Sequence, residues 1–278
     1  MIGLCTDSSS QLPPELRDRY GIEVVPVTVS IDGQEYLEGV DLDADAFWTR
    51  FTGQPVPAVD TSRPSPGQFA LAYDELVARG ATAILSIHVG SLVSGTINSA
   101  RLAAHNAPVP VRLVDTGAAS FGISCCTWAA AQAVGRGATL EEAAAVAEAV
   151  IPLVGNVFVP GALDRLRAGG VTPVSVGDVP VGSIPVLTFR DGEVRPLSIA
   201  GSTEEAVAAM VHYVASWGAG LNVGVGTADC SGAPMSEALA AALRAAPGVV
   251  EVIDYRVGPS VGVHTGAGTV GAFMFAAT

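Results

Sequence analysis

The feature that most constrains this chain is an alternation. Short apolar runs are separated by longer, Ala-rich stretches with helical periodicity. Parallel strands can be joined only through crossovers of about a dozen residues or more, usually helical, so this rhythm predicts an α/β fold. In the first half, strands are expected at Ile2–Thr6, Val24–Ile31, Ala83–His88 and Val111–Asp115. Helices are expected near Pro14–Tyr20, Asp43–Phe51, Gly67–Arg79, Thr96–His105 and Ile123–Arg136. The helix Leu140–Leu153 then runs into Pro160-Gly161, and Gly and Pro recur as far as Gly182. This places a domain change near residue 155, with 1–155 forming an α/β domain of mainly parallel sheet and flanking helices. Residues 156–278 read as an α+β domain, with strands at Pro185–Arg190, Val194–Ile199, Asn222–Thr227, Val249–Arg256 and Val270–Ala276 and helices near Thr203–Trp217 and Pro234–Ala246. Asp191-Gly192 is a hairpin signal, so part of the second sheet should be antiparallel.

Composition removes several functions. With 49% hydrophobic and 15% charged residues over 278 positions, the chain can bury a sizeable core and is not of the disordered class. All 14 basic residues are arginine, which excludes Schiff-base chemistry and a P-loop lysine. A net charge of −13 and no dense arginine cluster argue against a nucleic-acid partner. There is no basic leader and no apolar run long enough for a transmembrane segment, so a cytoplasmic protein is expected. Cys5, Cys125, Cys126 and Cys230 form no C-x-x-C pair and read as small core residues, with no metal site and no cofactor.

Chemistry could sit in three loops. The strand ending at His88 opens through Gly90-Ser91-Leu92-Val93-Ser94-Gly95 onto a helix starting at Thr96. Open α/β sheets bind ligands where strand C-termini meet helix N-termini, and the hydroxyls of Ser94 and Thr96 could receive an anion there. The same residues would also serve as a helix cap. Thr61-Ser62-Arg63-Pro64-Ser65-Pro66 presents further hydroxyls before the next helix, with the same alternative. The third stretch, Gly258 to Gly268, reads as a glycine-rich loop carrying His264, a donor for a carboxylate or a structural residue. Gly258-x-Ser260-x-Gly262 has the letters of a nucleophile elbow, so a serine hydrolase using Ser260 and His264 is the alternative reading. It is disfavoured because no helix is expected after the serine. Gly266-x-Gly268-x-x-Gly271 lies too near Thr278 for a dinucleotide fold to follow. Thr6-Asp7-Ser8-Ser9-Ser10 could hold a metal or phosphate through Asp7, but a turn rich in Asp and Ser needs no ligand, and that reading leads.

Taken in order, these motifs resemble the DegV family of bacterial fatty-acid-binding proteins. The series comprises Thr6–Ser10, Thr61–Gly67, Ser94–Ala100, Val114-Asp115-Thr116 with Ser120-Phe121-Gly122, Leu166–Gly170, and Gly258-Pro259 with His264 and Gly266-x-Gly268. The resemblance implies a two-domain lipid-binding carrier that is not itself an enzyme. It would hold one long-chain fatty acid in a buried tunnel, its carboxylate bound by Thr61 and Ser94 and assisted by His264. It also implies presentation of that carboxylate to a separate fatty acid kinase subunit, for phospholipid synthesis. A head site made only of neutral hydroxyls should depend weakly on salt. The sequence departs from the family pattern at Arg63, where glutamine is common, at Ile97, where tyrosine is usual, and at Val171, where an arginine usually follows the double glycine. The last departure bears on docking to the kinase.

Overall fold

The computed structural model describes residues 1–52, 56–164, 179–190 and 193–277. Residue contacts group the chain into two compact units, 1–43 with 57–154, and 44–56 with 155–277.

The first unit begins with β1 (Ile2–Asp7), α1 (Pro14–Tyr20), β2 (Glu23–Val25), β3 (Thr28–Ile31) and β4 (Gln34–Leu37). The chain then leaves it for α2 (Ala44–Phe51), which packs in the second unit, and returns with β5 (Val59–Ser62), α3 (Pro66–Ala78), β6 (Ala83–His88), α4 (Thr96–Ala104), β7 (Val111–Asp115), α5 (Phe121–Gly135) and α6 (Leu140–Val150). The main sheet is fully parallel in the order β2-β1-β6-β7. One strand expected at Val24–Ile31 is instead two, because Pro26 cannot donate to a ladder and turns the chain out of the parallel sheet. Its second part, β3, is the centre of a small antiparallel sheet, β4-β3-β5.

Alternation along the strands sends Cys5, Ile84, Ser86 and His88 to the face covered by α3 and α4, where Phe69, Tyr73, Leu76 and Ala100 close a buried core. The neighbouring positions Leu4, Leu85 and Ile87 fall on the other face, against which α5 and α6 pack. Most of α5 is buried, including Cys125, Cys126 and Trp128. α3 and α6 both start with complete capping boxes, Ser65 with Gln68 and Thr139 with Glu142.

The second unit contains β8 (Gly155–Val159), β9 (Ile184–Arg190), β10 (Glu193–Ala200), α7 (Thr203–Ala215), β11 (Leu221–Thr227), α8 (Ala233–Arg244), β12 (Val249–Arg256), α9 (Pro259–Thr265) and β13 (Val270–Ala276). Its six-stranded sheet runs β10-β9-β8-β13-β11-β12, with β11 and β12 parallel and every other pair antiparallel. The hairpin pairing of β9 with β10 is formed; Asp191-Gly192 themselves lie outside the described residues. Val157, Val223, Val225, Ala272 and Met274 meet Met210, Val214, Leu239 and Leu243 of α7 and α8 in a single apolar core. The inserted helix α2 is tied to the end of β12, since Trp48 Nε1 donates to the Val257 carbonyl at 2.8 Å. A β-carbon at Gly262 would stand 2.5 Å from Trp48 Cζ2, so the indole packs directly on this glycine. The expected loop Gly258–Gly268 is in fact largely helix: Pro259 occupies the first helical turn, where its missing N–H costs nothing, and Gly266 at φ 86° ends it.

Candidate functional site

In the parallel sheet, β1 leads through α1 to β2 on one side, and β6 leads through α4 to β7 on the other. The switch point of the topology therefore lies between the carboxyl ends of β1 and β6, at Asp7 and His88. Crevices outside such switch points are where open α/β sheets take ligands.

The switch is built on a buried polar chain. Tyr73, Ser86, His88 and Asp7 are all at most 1% exposed. Tyr73 OH and Ser86 Oγ are 3.0 Å apart, Ser86 Oγ and His88 Nε2 2.6 Å, and His88 Nδ1 and Asp7 Oδ2 2.9 Å. An ionised carboxylate only accepts, so His88 Nδ1–H donates to Asp7, and Ser86 links the other ring nitrogen to Tyr73. Asp7 also accepts from the Val89 N–H at 3.3 Å and the Ser9 N–H at 3.2 Å, tying both loops of the switch to one carboxylate. Ser8 Oγ is similarly engaged, donating to Glu38 at 2.6 Å and accepting from the Val27 N–H at 2.9 Å. The Thr6–Ser10 segment is thus a fastened turn. His88 and Asp7 were missed as a pair by sequence reading, although polar residues at Ser86 and His88, two apart in an otherwise apolar strand, are a signal for a polar contact on one buried face.

The loop after β6 is held from behind by the Val114-Asp115-Thr116 segment. Asp115 Oδ1 accepts from the Ser91 N–H at 3.0 Å and the Gly117 N–H at 3.2 Å. Partial burial works in the opposite direction, but hydrogen bonding from the Ser91 side chain, with the Gly117 and Ser91 N–H groups, holds the Asp115 carboxyl below its ordinary range. Thr116 Oγ1 donates to the His88 carbonyl at 2.8 Å, and the Gly90 N–H donates to the Ala118 carbonyl at 2.9 Å. Any β-carbon at Gly90 would stand 2.7 Å from the Gly117 backbone, so only glycine fits here.

Ser94 is half-buried at the exit of this loop. Its Oγ lies 2.8 Å from Thr96 Oγ1 and accepts from the Thr96 N–H at 3.3 Å. The capping alternative is therefore partly realised, with Ser94 satisfying one free N–H of α4. Its own proton remains able to point outward when Thr96 supplies the proton between the two hydroxyls. Thr61 was expected in a loop; it lies on β5, paired in register with Val29 on β3. Its N–H donates to Asp60 Oδ1 at 2.8 Å, and its hydroxyl has no hydrogen-bond partner among the described residues. The Arg63 side chain, two residues beyond Thr61, reaches Gly95, next to Ser94: a β-carbon at Gly95 would stand 2.7 Å from Arg63 Nη1.

In the second unit, His264 is the penultimate residue of α9, exposed as a residue. The shielded part of its ring suffices to hold its pKa below the usual histidine range, so it is mainly neutral near pH 7. Ser260 is the second residue of the same helix. A helix does follow β12, against expectation. Ser260 nonetheless has helical backbone within α9 and is absent from the non-glycine residues with positive φ, so the strained turn of a nucleophile elbow is not formed there. Leu166–Gly170 and Val171 lie outside the described residues.

The fold is that of a two-unit α/β protein with a strand switch in its parallel sheet, and the loop after the switch strand β6 carries Ser94. The chain belongs to the DegV family: the family described as "Uncharacterised protein, DegV family" matches residues 1–277. A DegV domain-containing protein of Streptomyces coelicolor is 33% identical over 281 residues, covering 98% of both chains. Among solved structures, a fatty-acid-binding DegV family protein from Thermus thermophilus superposes with a TM-score of 0.85 at 29% identity, covering 99% of each chain. A DegV lipid-binding protein from Thermotoga maritima does so with a TM-score of 0.84 at 26% identity, covering 99% of this chain and 98% of that one. The solved relatives are named for lipid binding, and the hydrolase reading gains nothing from them. No helix among the described residues is long and apolar enough to cross a membrane.

Proposed function

We propose that this chain binds one long-chain fatty acid, with its carboxylate received by the hydroxyls of Thr61 and Ser94 and its acyl chain in a buried tunnel. The observation that carries this reading is the Arg63 side chain, two residues beyond Thr61, reaching Gly95, next to Ser94 in the loop that follows the switch strand β6. The fatty-acid-binding relative from Thermus thermophilus supports it. Burying about fifteen methylenes at roughly 0.8 kcal/mol each supplies about 12 kcal/mol of gross driving force, before the cost of ordering the chain. The carboxylate must in exchange find donors as it leaves water. The family resemblance adds His264 as an assisting donor. The role is that of a carrier which performs no chemistry and presents the carboxylate to a separate fatty acid kinase subunit for phospholipid synthesis.

Native mass spectrometry followed by organic extraction should release one fatty acid per chain. Thr61→Ala and Ser94→Ala should each weaken binding about tenfold, the worth of a hydrogen bond to a charged group, with unchanged circular dichroism. Unaltered affinity in both variants would falsify the assignment.

A further inference from the structure

Resting on this reading, we infer that Arg63 supplies a formal positive charge to the head site and makes the protein selective for the ionised carboxylate over uncharged heads of equal chain length. Arg63 lies two residues beyond Thr61, and its guanidinium packs on Gly95, next to Ser94. A β-carbon at Gly95 would stand 2.7 Å from Nη1 and 3.2 Å from both Cζ and Cδ. Any larger residue at 95 would displace the guanidinium, so the glycine seats the charge as well as ending the loop. Arg63 is exposed and makes no ion pair among the described residues. Other arginines behave differently: Arg79 pairs with Glu23, Arg112 with Glu148, Arg244 with Asp254 and Arg256 with Asp45. In a chain of net charge −13, a cation beside Thr61 and Gly95 that holds no carboxylate is one an arriving anion can meet without first displacing an acidic side chain.

The chemistry fits the residue type. A planar guanidinium offers paired N–H donors that match the two oxygens of a carboxylate, which neutral hydroxyls alone do not. An exposed charge is screened by salt, so its contribution must fade as ionic strength rises. The weak salt dependence expected of a purely hydroxyl site is thereby replaced by a measurable one. Glutamine, common at this position in the family pattern, could donate a hydrogen bond but would carry no charge.

The test measures displacement of a fluorescent fatty acid by hexadecanoate and by hexadecanol, in the parent chain and in Arg63→Gln, Arg63→Lys, Thr61→Ala and Ser94→Ala. At about 10 mM ionic strength, Arg63→Gln should lower hexadecanoate affinity about fivefold, and the gap should shrink below about twofold near 1 M salt. Arg63→Lys should retain most of the affinity and the salt slope, and hexadecanol should bind parent and Arg63→Gln alike. Equal hexadecanoate affinity and equal salt slopes for parent and Arg63→Gln, with Thr61→Ala and Ser94→Ala still weakened, would overturn the role of Arg63 and leave the head site standing. If the parent binds no fatty acid, or if neither hydroxyl variant changes its affinity, the site itself is wrong and this inference falls with it.

Discussion

Replacing Asp7 by alanine tests whether the buried chain at the strand switch holds the first unit together. The Asp7 carboxylate accepts from the Ser9 N–H, from His88 Nδ1–H and from the Val89 N–H. Ser9 is half-buried, and water can replace its partner. His88 at 0% exposure and Val89 at 3% cannot be rescued in this way. Two buried donors left without acceptors cost about 2 kcal/mol each, so Asp7→Ala should destabilise the first unit by about 4 kcal/mol. That is a large share of the 5–15 kcal/mol typical of a domain. With a urea dependence of about 3 kcal/mol per molar, the midpoint should fall by about 1.3 M. Two compact units need not unfold together, so the probe must report on the first alone. Trp128 is the only tryptophan of that unit and is fully buried, so its fluorescence in a Trp48→Phe/Trp217→Phe background gives that signal. Combined with His88→Ala, the double variant should cost about 2 kcal/mol less than the sum of the single ones, because the donor orphaned by Asp7→Ala is then absent. A midpoint shift below about 0.3 M, or additive single effects, would show that the hydrogen-bonded chain contributes little and that the packing around Phe69 and Tyr73 alone fixes the switch.

Two further outcomes follow from the titratable groups. The thiols of Cys5, Cys125 and Cys126 are pushed up by burial, Cys126 to about 12, whereas Cys230 is exposed; thiolate being the reactive form, a disulfide reagent at pH 8 should modify one thiol of the folded chain quickly and the other three only on unfolding. Fast release of more than one equivalent would contradict that burial. For His264 the folded pKa is lowered by desolvation, so below the unfolded value near 6.5 the unfolded chain binds a proton that the folded chain resists. Stability is therefore lost as pH falls from about 7.5 to 5, by a small amount because the residue is exposed, and His264→Gln should flatten this part of the thermal midpoint profile; a steeper profile in the variant would reverse the sign.

Much of the fold was legible because burial has a period. Strands such as Ala83–His88 and Val111–Asp115 are apolar runs bounded by loops, and α6 announces itself by Thr139 and Glu142 at capping-box spacing. What the period could not show was pairing. Val24–Ile31 reads as one strand because its residues are mostly apolar and β-branched, yet Pro26 divides it between two sheets. β5, which carries Thr61, escaped notice because Asp60-Thr61-Ser62 has the composition of a turn and becomes a strand only through its ladder with β3. The helix α9 was hidden for a similar reason: its glycine and flanking glycines read as loop, and Gly262 is tolerated because Trp48, more than 200 positions earlier, packs on it.

The sequence by itself determined the α/β class, the hydroxyls at Thr61 and Ser94, the absence of lysine chemistry and the order of motifs that marks the family, because these depend on residue identity and local spacing. Only the tertiary structure decided that Asp7 and His88 share a proton-bridged contact 81 positions apart, and that Arg63 rests on Gly95. Such juxtapositions depend on which strands become neighbours and on which side chains a glycine leaves room for. Neither is written in any short stretch of the chain.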